Sequence, residues 1–172
     1  MSEGDPSKIR QSLPDDETLR WIGEVALRHA HLDNQLRMMV GDLVAFGPNQ
    51  ALNATHRQGS NELRKRIISL GKRRLGECRE FALLQDLMTQ CERVTARRNA
   101  LLHAIWGEDI EVGGYYLRDE DNVFQDAPNL LEIRRIAEDI RDLLYATLLA
   151  RKNGFLQEAL AKKPISLGVA QP

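Results

Sequence analysis

The chain has 172 residues, of which 42% are hydrophobic and 28% charged, with a formal net charge of −1. That length and apolar content predict one globular domain with a core of its own and leave little room for a second independent domain. The N-terminal stretch Met1 to Thr18 is polar and acidic with no apolar secretory core, and the chain holds no run of eighteen apolar residues, so a cytosolic protein without membrane association is expected.

Charge is unevenly distributed. Between Arg57 and Arg79 lie eight bases (Arg57, Arg64, Lys65, Arg66, Lys72, Arg73, Arg74, Arg79) against Glu62 and Glu77, whereas 108–126 holds seven acids against Arg118. A basic run of this kind is ordinarily a solvated helix face, and it is also the charge that a polyanion would meet. Cys78 and Cys91 are thirteen residues apart on one predicted helix. At a rise of 1.5 Å per residue they stand roughly 20 Å apart, beyond disulfide reach, and are expected to be reduced thiols.

In chain order, residues 1–12 lack any periodicity that would bury them and are expected to be a loose arm, followed by a helical domain over 13–160 and a tail over 161–172. A first helix should begin near Pro14, with Asp15, Asp16 and Glu17 favoured at its positive end. Its stripe is Ile22, Val25, His29, Leu32, Leu36, Met39, Leu43 and Phe46, closed by Gly47-Pro48. His29 lies on that stripe either as a core histidine satisfied by a neighbouring helix or as a second site residue facing His103. His31 points about 200° away from it, and no Glu-x-x-His or His-x-x-x-His pair occurs, so no metal or other cofactor is expected.

A turn or two of helix around Ala51 to Thr55 leads to a second full helix capped by Ser60, with Leu63, Ile67 and Leu70 inward and Arg64, Lys65, Arg66, Lys72, Arg73 and Arg74 outward, closed by Gly76. A third helix is expected from Glu77 to Trp106, with Gly107 as its stop. The segment 107–126 loses the helical period and suggests two short strands, Glu111 to Arg118 and Val123 to Gln125, around an acidic turn. Asn129-Leu-Leu-Glu132 has the form of a capping box opening a fourth helix, with Leu130, Ile133, Ile136, Ala137, Ile140, Leu143, Leu144, Thr147 and Leu148 inward and Asn153-Gly154 as its stop. The expected class is therefore all-α, a four-helix bundle with a small β-hairpin between the third and fourth long helices.

One stretch combines polar chemistry with an apolar helical pattern: Arg98, Asn99 and His103, near the end of the third helix. A guanidinium binds phosphate oxygens bidentately, and a histidine beside it exchanges a proton with a ribose 2′-hydroxyl or a leaving oxygen. Asn99 and His103 fall one turn apart on one face, with Arg98 flanking them. Each also has an ordinary role available: an interhelical ion pair for Arg98, a local hydrogen bond to Thr95 or His103 for Asn99, and a helix-end carbonyl contact for His103.

Arg98-Asn99, three residues and then His103, close to the end of the third of four long helices, resembles the HEPN superfamily (higher eukaryotes and prokaryotes nucleotide-binding domains). The resemblance covers about residues 14 to 153 and implies an all-α bundle that dimerises with its motifs apposed. It also implies metal-independent endoribonuclease activity of the kind found in toxin-antitoxin and other defence systems. Arg98 and His103 would then be catalytic and Asn99 supporting, with the RNA backbone held by Arg97, Arg93, Arg64 and Lys65. Other members of the family are binding modules without nuclease activity. For those the resemblance implies a partner protein, such as an antitoxin or a nucleotidyltransferase-like protein, or a bound nucleotide. The strand-forming segment after Trp106 is not part of the family's core pattern.

Overall fold

The computed structural model describes residues 9–109, 115–118 and 124–163. These are mostly helical: α1 (Asp16–Val44), α2 (Pro48–Thr55), α3 (Ser60–Leu75), α4 (Arg79–His103), α5 (Leu130–Lys152) and α6 (Phe155–Lys162). The strands β1 (Ile9–Gln11), β2 (Ile105–Asp109), β3 (Tyr115–Arg118) and β4 (Phe124–Asp126) form one antiparallel sheet in the order β1-β2-β3-β4. Among the described residues no helix is long and apolar enough to cross a membrane.

The described residues fall into two compact units, one within 1–29 and 93–141 and the other within 30–92 and 142–172. The unit boundaries fall inside α1, α4 and α5. A 29-residue helix such as α1 is about 44 Å long at 1.5 Å per residue, and its residues up to His29 belong to one unit and those from Ala30 to the other.

In the first unit Val25, Val94, Leu101, Ile133, Ala137 and Ile140 are buried. Three arginines tie helices together there. Arg28 donates to the Ala137 carbonyl at 3.0 Å, Arg134 pairs with Glu17 and lies 5.1 Å from the Trp21 ring centre, and Arg97 pairs with Asp139. His29 is 2% exposed and its Nε2 lies 3.0 Å from Thr95 Oγ1, the core role among the two open to it.

The sheet belongs to this unit and corrects the two-stranded hairpin. β2 is a central strand, paired through Ile9↔Asp109 with β1 and through Glu108↔Tyr115 with β3. Residues 9–11, expected in the arm, supply β1. Gly107 does not stop a helix: a Cβ there would meet Ile9 Cγ2 at 2.4 Å and the Arg10 carbonyl oxygen at 3.2 Å, so the close approach of β1 requires glycine. The expected strand residues 111–114 and 123, with the acidic turn 119–122, lie outside or at the edge of the described residues, as do the first eight residues and the tail from 164.

In the second unit Leu32, Leu36, Met39 and Leu43 of α1 are buried, as are Leu63 and Ile67 of α3, Leu84 and Cys91 of α4, and Thr147 of α5. Arg151 is anchored by Asp42 at 2.6 Å and by Gln35. The cap of α3 is Gly59, not Ser60: its N–H donates to Glu62 Oε2 at 3.1 Å, while the Ser60 hydroxyl donates to Asp33 at 2.7 Å. Arg64, expected outward, is buried. It sits one position past Leu63 and three before Ile67, on the edge of the apolar face.

Helix starts follow local chemistry. Asn129 and Glu132 form a reciprocal capping box, with Asn129 N–H to Glu132 Oε2 at 2.8 Å and Glu132 N–H to Asn129 Oδ1 at 3.0 Å. At α1, Asp15 accepts from the Thr18 N–H at 2.9 Å and the Thr18 hydroxyl at 2.8 Å, which holds its carboxyl below the ordinary range.

Two predictions follow from these contacts. A carboxyl whose folded pKa is depressed contributes stability above its ordinary pKa of about 3.9 and loses it as pH falls through the folded value. The difference in melting temperature between the wild type and Asp15→Asn should therefore be present at neutral pH and be lost as the pH falls through the depressed folded value of the Asp15 carboxyl. In the second unit, a Cβ on Gly41 of α1 would lie 2.6 Å from Ala51 Cβ of α2, an atom that cannot swing away. Gly41→Ala should destabilise by roughly 1–3 kcal/mol in denaturant titration, although alanine is the better helix former.

Candidate functional site

The site is built where α4 ends and β2 begins. α4 stops at His103, three residues short of the expected Trp106, because Ile105 and Trp106 enter the sheet, where β-branched and aromatic residues pair well. The Trp106 indole N–H turns back to donate to the Leu101 carbonyl at 3.3 Å, satisfying one of the free carbonyls of the helix end. Its ring meets Tyr115 edge-on, with 6.2 Å between centres.

Arg98, Asn99 and His103 come together at this end. Arg98 Nη1 donates to Asn99 Oδ1 at 2.9 Å and lies 3.3 Å from His103 Nε2. A guanidinium has donors only, so in this contact Nε2 presents its lone pair and the neutral ring carries its proton on Nδ1. The arginine, expected to flank an Asn99–His103 pair, is instead the hub between them. Asn99 and His103 are exposed, and Arg98 is half-buried with its Nε shielded from solvent and unpartnered among the described residues. Among those residues no carboxylate pairs with Arg98, so its charge is met only by neutral groups.

The residues expected to hold a substrate are divided. Arg93 and Arg97 are exposed on α4 in the same unit as the cluster, Arg97 in its pair with Asp139. Lys65 is exposed and Arg64 buried in the other unit. Sequence reasoning missed Arg118 as a neighbour of the helix end: the sheet register sets it opposite Ile105, two residues after His103. The only signal was that it is the single base in an acidic segment. A small cavity of about 120 Å³ lies between Ile9, Ile105, Trp106 and Arg118, and an open concavity of about 450 Å³ is lined by Arg97, Leu101, Leu117, Pro128 and Glu132. Among the described residues no group of three or more His, Cys, Asp or Glu side chains is placed to hold a metal ion.

No protein-family model matches the chain, and neither a curated protein nor a solved structure matches it.

The two thiols differ in kind. Burial pushes the Cys91 thiol up to about 12, while Cys78 is partly exposed at the start of the α4 segment. Because the thiolate is the nucleophile, iodoacetamide near pH 8 should label the native chain at Cys78 and leave Cys91 unmodified until denaturant is added. Peptide mass mapping reads this out.

Proposed function

We propose that the chain is a metal-independent endoribonuclease of the HEPN type, acting as a homodimer on RNA. The supporting observation is the convergence of Arg98 on Asn99 and His103, with a cationic charge that no carboxylate among the described residues offsets. A phosphodiester entering the cluster competes for the guanidinium. As Arg98 turns to two non-bridging oxygens, His103 Nε2 is released and becomes the base for the adjacent 2′-hydroxyl. The 2′-oxygen then bonds to phosphorus, the bond from phosphorus to the 5′-oxygen breaks, and a 2′,3′-cyclic phosphate remains. Arg98 offsets the added negative charge of the pentacoordinate state. The departing 5′-oxygen takes its proton from the His103 ring of the second copy, which is why the reaction calls for two motifs face to face. Asn99 holds the guanidinium in place between turnovers, and exposed Arg93 and Arg97 hold the RNA backbone in a salt-dependent way.

A second reading is favoured by one observation. Tyr145 and Leu149, 65% and 60% exposed and one turn apart on α5, offer an apolar strip for a protein partner, as a non-catalytic module of this family would need.

The purified chain incubated with single-stranded RNA in excess chelator should produce fragments ending in cyclic phosphate. Arg98→Ala and His103→Ala should each lower the rate by roughly a hundredfold or more while changing stability by no more than about 0.5 kcal/mol. Absence of cleavage, or cleavage indifferent to both substitutions, contradicts the nuclease and leaves the interaction module.

A further inference from the structure

The second unit contains two buried arginines that are satisfied very differently. Arg151, with 5% of its side chain exposed, has Asp42 at 2.6 Å and the Gln35 carboxamide beside it. Arg64, with 10% exposed, has no such arrangement. Its Nη2 lies 3.4 Å from Asn61 Oδ1 and 3.6 Å from a Glu92 carboxylate that is itself 66% exposed, and its Nη1 is buried without a partner among the described residues. Buried charges are ordinarily closely paired, because the loss of hydration is offset only by short, well-aligned contacts.

Arg64 also lines a groove between α3 and α4 of about 480 Å³, within the size range of small-molecule sites. Lys65 adds a second cation, Ser69 contributes a hydroxyl, and Ile68 and Met88 give the groove an apolar wall, while the Thr89 hydroxyl donates to the Gln85 carbonyl at 3.0 Å. A cationic fork, an ammonium and a hydroxyl donor in one concavity match the several oxygens of a phosphate better than the two of a carboxylate.

We propose that this groove binds an organic phosphomonoester, with its phosphate on Arg64 and Lys65 and a flat apolar body against Ile68 and Met88. On binding, Glu92 swings into water and the Arg64 guanidinium turns so that both terminal nitrogens face the phosphate. The site lies in the unit that does not hold the Arg98 cluster, and it is independent of the nuclease reading.

Calorimetric titration of the full chain with phenyl phosphate, inorganic phosphate and phenol tests it, with amide NMR shifts locating the site. Phenyl phosphate should bind one per chain, inorganic phosphate at least about tenfold more weakly, and phenol not measurably. Arg64→Lys, which loses the bidentate fork, should weaken binding roughly tenfold or more. Lys65→Glu, at an exposed position, should do the same without threatening the fold, and Glu92→Gln should strengthen binding. Arg98→Ala and His103→Ala should leave it unchanged. The assignment is overturned if phenyl phosphate gives no saturable heat at millimolar concentration, if Lys65→Glu and Glu92→Gln leave its affinity unaltered, or if the shifts fall on the end of α4 rather than around Asn61, Ser69 and Thr89.

Discussion

A single guanidinium nitrogen, Arg98 Nη1, joins the carboxamide of Asn99 to the imidazole of His103, and the functional account rests on that junction. On an ideal helix positions 98 and 103 are about 140° apart and separated by some 7.5 Å of rise, so they are not natural neighbours. They meet because the long, flexible arginine stem runs toward the helix end, and because α4 stops at His103, so the ring is not hemmed in by a further helical turn. The stop is enforced from outside the helix. Ile105 and Trp106 are drawn into a sheet whose central strand has partners on both sides, and Gly107 lets β1 close over it.

The other arginines show what distinguishes this one. Arg97, Arg134 and Arg151 each face a carboxylate, and Arg28 pairs with Glu24 while donating to a carbonyl. They act as ties between helices, each with a carboxylate beside it. Arg98 meets neutral partners, and Arg64 meets its acid only at 3.6 Å. A cation held in place without a close counter-charge keeps its attraction for an anion. Arg37 and Arg66 are also held by neutral oxygens, so what sets the other two apart is their setting: Arg98 touches an imidazole at the end of α4, and Arg64 is recessed in a groove.

Much of this was readable in the sequence where local chemistry decides the outcome. The Asn129–Glu132 capping box, the acidic start of α1, the end of α3 at Gly76 and the inward stripe from Val25 to Leu43 depend on side chains a turn or so apart. What could not be read depends on neighbours remote in sequence. β1 is three residues long and carries no period; it exists because β2 offers it a partner 98 positions away, as in the Arg10–Glu108 contact. Ile105 continues the spacing of an apolar helical face, so the sequence extends α4 as far as Trp106, and only the pairing with β3 shows otherwise. Arg64 looks like its basic neighbours in the sequence and is nonetheless buried. The three polar residues of the site were legible by type and position, but the central role of Arg98 was not, since it depends on the path of a flexible side chain.

The state of the His103 ring tests this junction most directly. Long-range nitrogen–proton correlation spectra of the imidazole, recorded where the ring is neutral, should show the proton on Nδ1 in the wild type and a shift toward the Nε2-protonated form in Arg98→Ala, because the guanidinium no longer donates to Nε2. A wild-type ring that carries its proton on Nε2, or a tautomer unaffected by removing Arg98, would mean that the two side chains do not meet in solution.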